Sequence, residues 1–260
     1  MTPRFSTIAR SDVGLVREGN EDSALISSRV VAVADGMGGH AGGEVASEIA
    51  IATLHDLIGV LSDPAVDEAS REDLLMNISF SIDHKISARV SAEPMLTGMG
   101  TTLTALHLGT GVVELLHIGD SRCYKWSGKK ITQLSYDHTV MQELLDQGRL
   151  TPEEVVDHPQ RSMLTQALMG DGKIDPVLSV YPAAVGDRFL LCSDGLTNIL
   201  SDHEIATIIK RNKNEDVVDT LVSAVLEKGA PDNVTVLWVE IIDDQDAAHS
   251  HLIGAAGENK

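Results

Sequence analysis

Cysteine and aromatic residues are both scarce in this chain of 260 residues, which holds two of the former and eight of the latter. Two cysteines, Cys123 and Cys192, cannot build a disulfide framework and fit a reducing compartment. So few rings leave little material for platforms on which bases or sugars stack. Positive charge is short as well. Twenty Lys and Arg stand against 39 Asp and Glu, for a formal net charge of −19. That balance argues against nucleic acid, whose binding rests on basic patches that release counterions. The most apolar helical stretch, 46–61, is interrupted by Glu48, His55 and Asp56, so no membrane span is expected. The first residues, Met1-Thr2-Pro3-Arg4-Phe5-Ser6, lack the apolar core of a signal peptide. The expectation is a soluble cytoplasmic chain without a membrane or nucleic-acid partner, and nothing demands more than a monomer.

What is present is enough length for one large domain with a full core. Short β-like runs recur at 30–34, 102–108, 112–118, 188–192 and 234–242. Helical spacing is carried at 43–61, at 68–91 through Leu74, Leu75, Ile78, Ile82, Ile86 and Val90, and at 215–228, which Gly229 stops. Strict βαβ alternation is absent, so the pattern predicts an α+β fold with antiparallel sheets covered by helices. The polar segment 139–173, with short helical pieces at 140–147 and 152–156, reads as a flap on a single domain spanning 1–242. Residues 243–260 lack periodicity and are expected to form a disordered tail.

Several acids stand where strands stop. Residues 31–34 run into Asp35-Gly36-Met37-Gly38-Gly39, 115–118 into Gly119-Asp120-Ser121-Arg122, and 189–193 into Asp194-Gly195. Pro231-Asp232-Asn233 precedes the last strand, and Arg17-Glu18-Gly19-Asn20-Glu21-Asp22 precedes an early apolar run. Asp-Gly is ordinary turn chemistry at any one site. Taken together, strand-end acids converge on one cleft if the strands pair in sheets, and their repulsion then calls for a cation. Oxygen ligands without Cys/His clusters specify Mg²⁺ or Mn²⁺ rather than zinc.

Competing signatures fail. Gly36-Met37-Gly38-Gly39-His40-Ala41 fits a dinucleotide fingerprint, but Asp35 would face the pyrophosphate and no second strand ending in an acid follows within the unit. There is no H-E-x-x-H zinc motif and no G-x-S-x-G nucleophile elbow. His107 and His117 read as core or sheet-face histidines, and Cys192 as a buried structural thiol.

The order of these motifs resembles the metal-dependent serine/threonine protein phosphatases of type 2C, the PPM family, in its compact bacterial form. The resemblance rests on Arg17-x-x-Asn20-Glu21-Asp22, residues 33–40, Gly100-Thr101-Thr102, Gly119-Asp120-Ser121-Arg122, Asp137-His138, residues 164–168, residues 191–196 and Asp232-Asn233. It implies a four-layer α-β-β-α sandwich of two antiparallel sheets, with two Mn²⁺ or Mg²⁺ ions at one edge. By the same resemblance Asp35 would bridge the ions, and Asp194 and Asp232 would complete one set of ligands. The Gly36 carbonyl would bind the second ion, with Glu21 or Asp22 contributing directly or through water and Asn233 in support. A third, weaker ion would use Asp120 and Asp194, and Arg17 would grip the substrate phosphate. A metal-bridging hydroxide would attack phosphorus, so no protein nucleophile is required.

Many eukaryotic members carry histidine where this chain has Met37, which leaves His40 as candidate general acid or phosphate-orienting group. The flap coincides with the family's variable segment and is expected to tune substrate choice. The implied function is hydrolysis of phosphoserine and phosphothreonine in proteins, opposing a bacterial Ser/Thr kinase. Two other readings stand beside it. A catalytically dead binding module would have lost a core acid, and Asp35, Asp194 and Asp232 are all present. A hydrolase of small phosphate esters would be separated by a phosphoprotein assay.

Overall fold

Runs that are apolar at every position, rather than at alternate ones, need burial on both faces of a sheet, and the structure supplies it. The computed structural model describes residues 3–39, 42–63, 65–155, 158, 160–244 and 250–258. Its strands are β1 (Pro3–Asp12), β2 (Asp22–Ile26), β3 (Val30–Met37), β4 (Gly100–Thr101), β5 (Leu103–Leu108), β6 (Val112–Ile118), β7 (Arg122–Ser127), β8 (Lys130–Gln133), β9 (Val177–Pro182), β10 (Arg188–Cys192), β11 (Val234–Asp243) and β12 (His251–Gly254). The helices are α1 (Gly42–Leu61), α2 (Glu68–Ala92), α3 (Val140–Asp146), α4 (Pro152–Val155), α5 (Asp194–Thr197), α6 (Asp202–Arg211), α7 (Asn214–Glu227) and α8 (Ala255–Glu258).

One antiparallel sheet runs β1-β11-β10-β7-β8, and the other runs β12-β2-β3-β5-β6-β9 with β4 paired to β3. Neighbouring side chains on each strand point to opposite faces. Thus Val31 and Val33 meet Phe189, Leu191, Leu237 and Val239 between the sheets. Val30, Ala32 and Ala34 instead pack outward with Ile51 and Leu54 of α1 and Ile78 and Ile82 of α2. On the far side, Leu190, Cys192, Val236 and Trp238 pack with Leu221 and Val225 of α7. Three apolar layers make a four-layer α-β-β-α sandwich, as expected.

The sheet registers bring one end of many strands together. Asp22 opens β2 opposite Asp35 of β3, Leu103 of β5 lies opposite Ile118 of β6, and Cys192 of β10 lies opposite Val236 of β11. The strand-end acids therefore share one edge of the sandwich.

Two differences from the sequence reading stand out. Residues 251–258, expected within a disordered tail, add β12 to the edge of β2, and Ala255 and Ala256 are buried. Backbone pairing, Leu252 and Ile253 on opposite faces of the strand and the two buried alanines hold this segment, which is too short to show a hydropathy period. Gly254 makes the junction at φ +70°, where a Cβ would lie 2.2 Å from the Asp22 carbonyl oxygen. Residues 245–249, also in that tail, lie outside the described residues. Helix α6 was not anticipated, although Ser201 and Glu204 form a complete capping box at its start. The histidines and the thiol sit as read. His107 pairs with Glu114 across β5 and β6 at 2.5 Å, His117 bonds Thr104 and the Tyr136 carbonyl, and burial pushes the Cys192 thiol up to about 12.

Candidate active site

At the shared edge lies a cleft of about 480 Å³ lined by Arg17, Glu21, Asp35, Gly36, Asp120, Asp194 and Asp232. Asp35 comes from β3, Asp120 from the turn after β6, Asp194 from the start of α5 just beyond β10 and Asp232 from the entry to β11, so both sheets contribute. Asp22 and Asn233 do not line it. The side chain of Asp22 is buried and accepts the Ser193 hydroxyl at 2.7 Å. Asn233 ties the 13–21 loop to β11: its Oδ1 accepts from the Glu21 N–H at 2.8 Å, and its Nδ2 donates to the carbonyls of Val13 and Gly19, both at 2.9 Å. The structure thus separates the two acids between which the sequence did not choose, Glu21 facing the cleft and Asp22 lying beneath it. His40 lies outside the described residues.

Several positions that sequence reasoning did not assign brace the acids. The Thr102 hydroxyl accepts the Asp35 N–H at 2.9 Å and bonds Ser121 at 2.8 Å, while the Thr101 hydroxyl donates to the Asp35 carbonyl at 3.0 Å. Asn198 donates to Asp194 at 2.8 Å. The Gly100-Thr101-Thr102 motif was the available signal, but a hydroxyl's partner is a tertiary fact. Gly36 is required by space. A Cβ there would lie 2.1 Å from the Gly43 carbonyl oxygen and 2.6 Å from that of Glu21, so the backbone reaches the cleft with no side chain in between.

The electrostatics are one-sided. Burial, then the charges of Asp22, Asp194, Asp120 and Asp232, raises the Asp35 carboxyl well above the ordinary aspartate value. Asp22 is pushed up to about 7, again by burial first, against the hydrogen bonds it accepts. Asp120, Asp194 and Glu21 are raised too, burial leading in each. Arg17 is the one basic residue lining the cleft among the described residues. It donates to Asp232 at 2.9 Å and to Glu21 at 3.4 Å. Arg122 of the Gly119-to-Arg122 motif is held by the Asp137 carboxylate, its Nη2 at 2.6 Å. Among the described residues no three His, Cys, Asp or Glu side chains are closed into a ready cation cage.

This arrangement predicts an inverted pH dependence of stability without added metal. A carboxyl raised in the folded state binds protons there that the unfolded chain, near 3.9, releases. Its destabilisation is absent below about pH 4 and grows as pH rises through the folded value, about 7 for Asp22. In EDTA the Tm should therefore fall as pH rises from about 4 to about 7. With Mn²⁺ present the fall should disappear, since bound cations favour the charged form. A Tm in EDTA that climbs across that window would show that the acids do not repel one another.

The sequence matches protein phosphatase 2C over residues 20–234. It is 44% identical over 251 residues to the serine/threonine protein phosphatase PstP of Mycobacterium tuberculosis, covering 95% of this chain and 47% of PstP. The chain thus spans about half the length of that relative. The serine/threonine phosphatase stp of Listeria monocytogenes is 35% identical over 237 residues, with 89% of this chain and 94% of stp covered. The crystal structure of the M. tuberculosis phosphatase has a TM-score of 0.85 at 42% identity, covering 92% of this chain and 100% of that one. The structure of the PstP catalytic domain in complex with two manganese ions gives 0.83 at 41% identity, with 93% and 100% covered. By sequence along most of its length, by its two-sheet architecture and by the strand-end acids gathered in its cleft, the chain belongs to the protein phosphatase 2C family.

Proposed function

We propose that the protein is a phosphoprotein phosphatase that hydrolyses phosphoserine and phosphothreonine esters, using divalent cations held in this cleft. The observation that carries the reading is the meeting of strand-end acids from both sheets around one space, with Arg17 at its rim. The donors fit Mn²⁺ or Mg²⁺: all are carboxylates or a glycine carbonyl, and their mutual repulsion is what cations relieve. Asp35 would be shared between two ions, Asp194 and Asp232 would serve one, and the Gly36 carbonyl and Glu21 the other. Asp120 and Asp194 are the pair available to a third. The PstP catalytic domain in complex with two manganese ions supports two such ions here. When bound, such ions supply charge neutralisation and water activation for displacement at phosphorus.

The chain's own residues do the rest. Arg17 exchanges its contacts with Asp232 and Glu21 for the phosphate, where its planar fork donates two charge-assisted hydrogen bonds. Thr101 and Thr102 hold the Asp35 backbone, Ser193 holds Asp22, and Asn233 fixes the loop that presents Arg17 and Glu21. No side chain of the protein attacks phosphorus. His40 is the chain's candidate for protonating the leaving serine or threonine oxygen. By its chemistry the reaction consumes the product of a Ser/Thr kinase, and we assign the protein to that opposition.

Phosphate release from a phosphothreonine peptide tests the reading directly. It should vanish after EDTA treatment and return with Mn²⁺. Undiminished release in EDTA would overturn the metal assignment. Release from p-nitrophenyl phosphate without any from the peptide would point to small esters instead.

A further inference from the structure

Asp83 lies on α2, remote in sequence from every residue placed at the cleft, and it is buried. Its carboxylate accepts three backbone N–H groups from one loop. Oδ1 takes those of Met169 at 3.1 Å and Gly170 at 2.6 Å, and Oδ2 takes that of Gly172 at 3.0 Å. This loop is the C-terminal limb of the 139–173 flap. At Gly170 (φ +73°) the limb lies so close to α2 that a Cβ would stand 2.5 Å from the Ser87 nitrogen.

The clamped residues adjoin the cleft wall, which Leu164, Thr165, Gln166, Ala167 and Met169 help to form. Between wall and clamp, Leu168 pairs with Thr101 in both directions, at 3.0 and 2.9 Å, and Thr101 in turn bonds the Asp35 carbonyl. The wall's other limb is held separately, by the Thr139–Leu164 bridge and by the Thr165 N–H on the His138 carbonyl at 2.8 Å. Loss of the Asp83 contacts would thus free residues 169–172, while the Leu168–Thr101 pair stays in place and keeps the acid cluster braced.

We propose that Asp83 is a positioning residue for phosphopeptide substrates. It sets the height and angle of the 164–169 wall, and so governs how the peptide flanking the phosphorylated residue is received. It does not touch the reacting atoms. A small aryl phosphate needs only the acids and Arg17, whereas a peptide must also meet the wall. The inference rests on the phosphoprotein reading given above.

The test compares wild type, Asp83→Ala and Asp83→Asn on a phosphothreonine peptide and on p-nitrophenyl phosphate, both with Mn²⁺. For Asp83→Ala the peptide KM should rise about tenfold, since displacement of a positioning element by a fraction of an ångström costs that order. The kcat/KM for the aryl phosphate should stay within about twofold, as an intact acid cluster requires. Backbone amides of 168–172 should exchange with deuterium faster in the variant. Asp83→Asn keeps the Oδ1 acceptor but turns an amide N–H toward that of Gly172, so its peptide KM should lie between the other two. If Asp83→Ala does not fold, the Asn variant decides. An unchanged peptide KM, equal losses on both substrates, or unchanged exchange over 168–172 overturns the proposal. Absence of peptide turnover by the wild type overturns the phosphoprotein reading and the substrate role of Asp83 with it. Peptide turnover with an unchanged KM overturns the role of Asp83 alone.

Discussion

Asp35→Asn should lower kcat on a phosphothreonine peptide by about 10³-fold, several kcal/mol of transition-state stabilisation at a factor of ten per 1.36 kcal/mol. The substitution keeps the shape of the side chain and leaves the backbone bonds to Thr101 and Thr102 in place. What it removes is the charge that the two ions would share. The same change should raise the stability of the metal-free protein. Asp35 stands among Asp22, Asp194, Asp120 and Asp232, and both burial and those charges oppose its ionised form. In EDTA at pH 8 the variant should melt above wild type, with each kcal/mol worth roughly 2–4 °C in a chain of this size. Added Mn²⁺ should then stabilise it less than it stabilises wild type. Lost activity with a lowered Tm in EDTA would mean that Asp35 is a structural acid, and full activity would remove it from the site.

The second large effect is expected from a single methyl group. A Cβ on Gly195 would lie 1.9 Å from the carbonyl oxygen of Asn233, and neither group is the end of a flexible side chain. Gly195→Ala must therefore push the start of α5 away from the entry to β11. Those two backbones carry Asp194 and Asp232, so the wedge separates two of the acids proposed to hold the ions. We expect a loss of about 1–3 kcal/mol in urea unfolding, the usual cost of overpacking. Activity should fall about 10²-fold from the displacement of Asp194 relative to Asp232. Gly59→Ala in the exposed part of α1 is the control. Nothing lies within 4 Å of its added Cβ, and a gain of about 0.5–1 kcal/mol is expected from helix propensity. A Gly195→Ala protein with wild-type turnover would show that the two acids need not be held this closely.

The helices α1, α2 and α7 were legible because each carries apolar residues at helical spacing over several turns. The buried strands were legible as unbroken apolar runs. Less visible were strands whose residues mix charge with apolar groups. β7 reads Arg122-Cys123-Tyr124-Lys125-Trp126, yet Tyr124 and Trp126 pack under α6 and α7 while Cys123 faces the other sheet. β9 is an edge strand that leaves Val177 and Val180 exposed, so its pattern follows neither face cleanly. β12 is only four residues long, and although Leu252 and Ile253 pack against the cores on its two faces, two apolar residues are too few to show a period.

The candidate site divides in the same way. The sequence alone determined which acids to follow, because a carboxylate placed where an apolar strand stops has few ordinary reasons to recur so often. Asp35, Asp120 and Asp194 stand out on that ground, and Asp232 by its place just ahead of the last strand. Only the tertiary structure decided their relation to one another and to their supports. Adjacent residues at a strand end point to opposite faces, and pairing with a distant strand decides which face is the cleft. That is why Glu21 lines the cleft and Asp22 lies beneath it, and why Asp83, unremarkable on its helix, meets a loop 86–89 residues further along the chain.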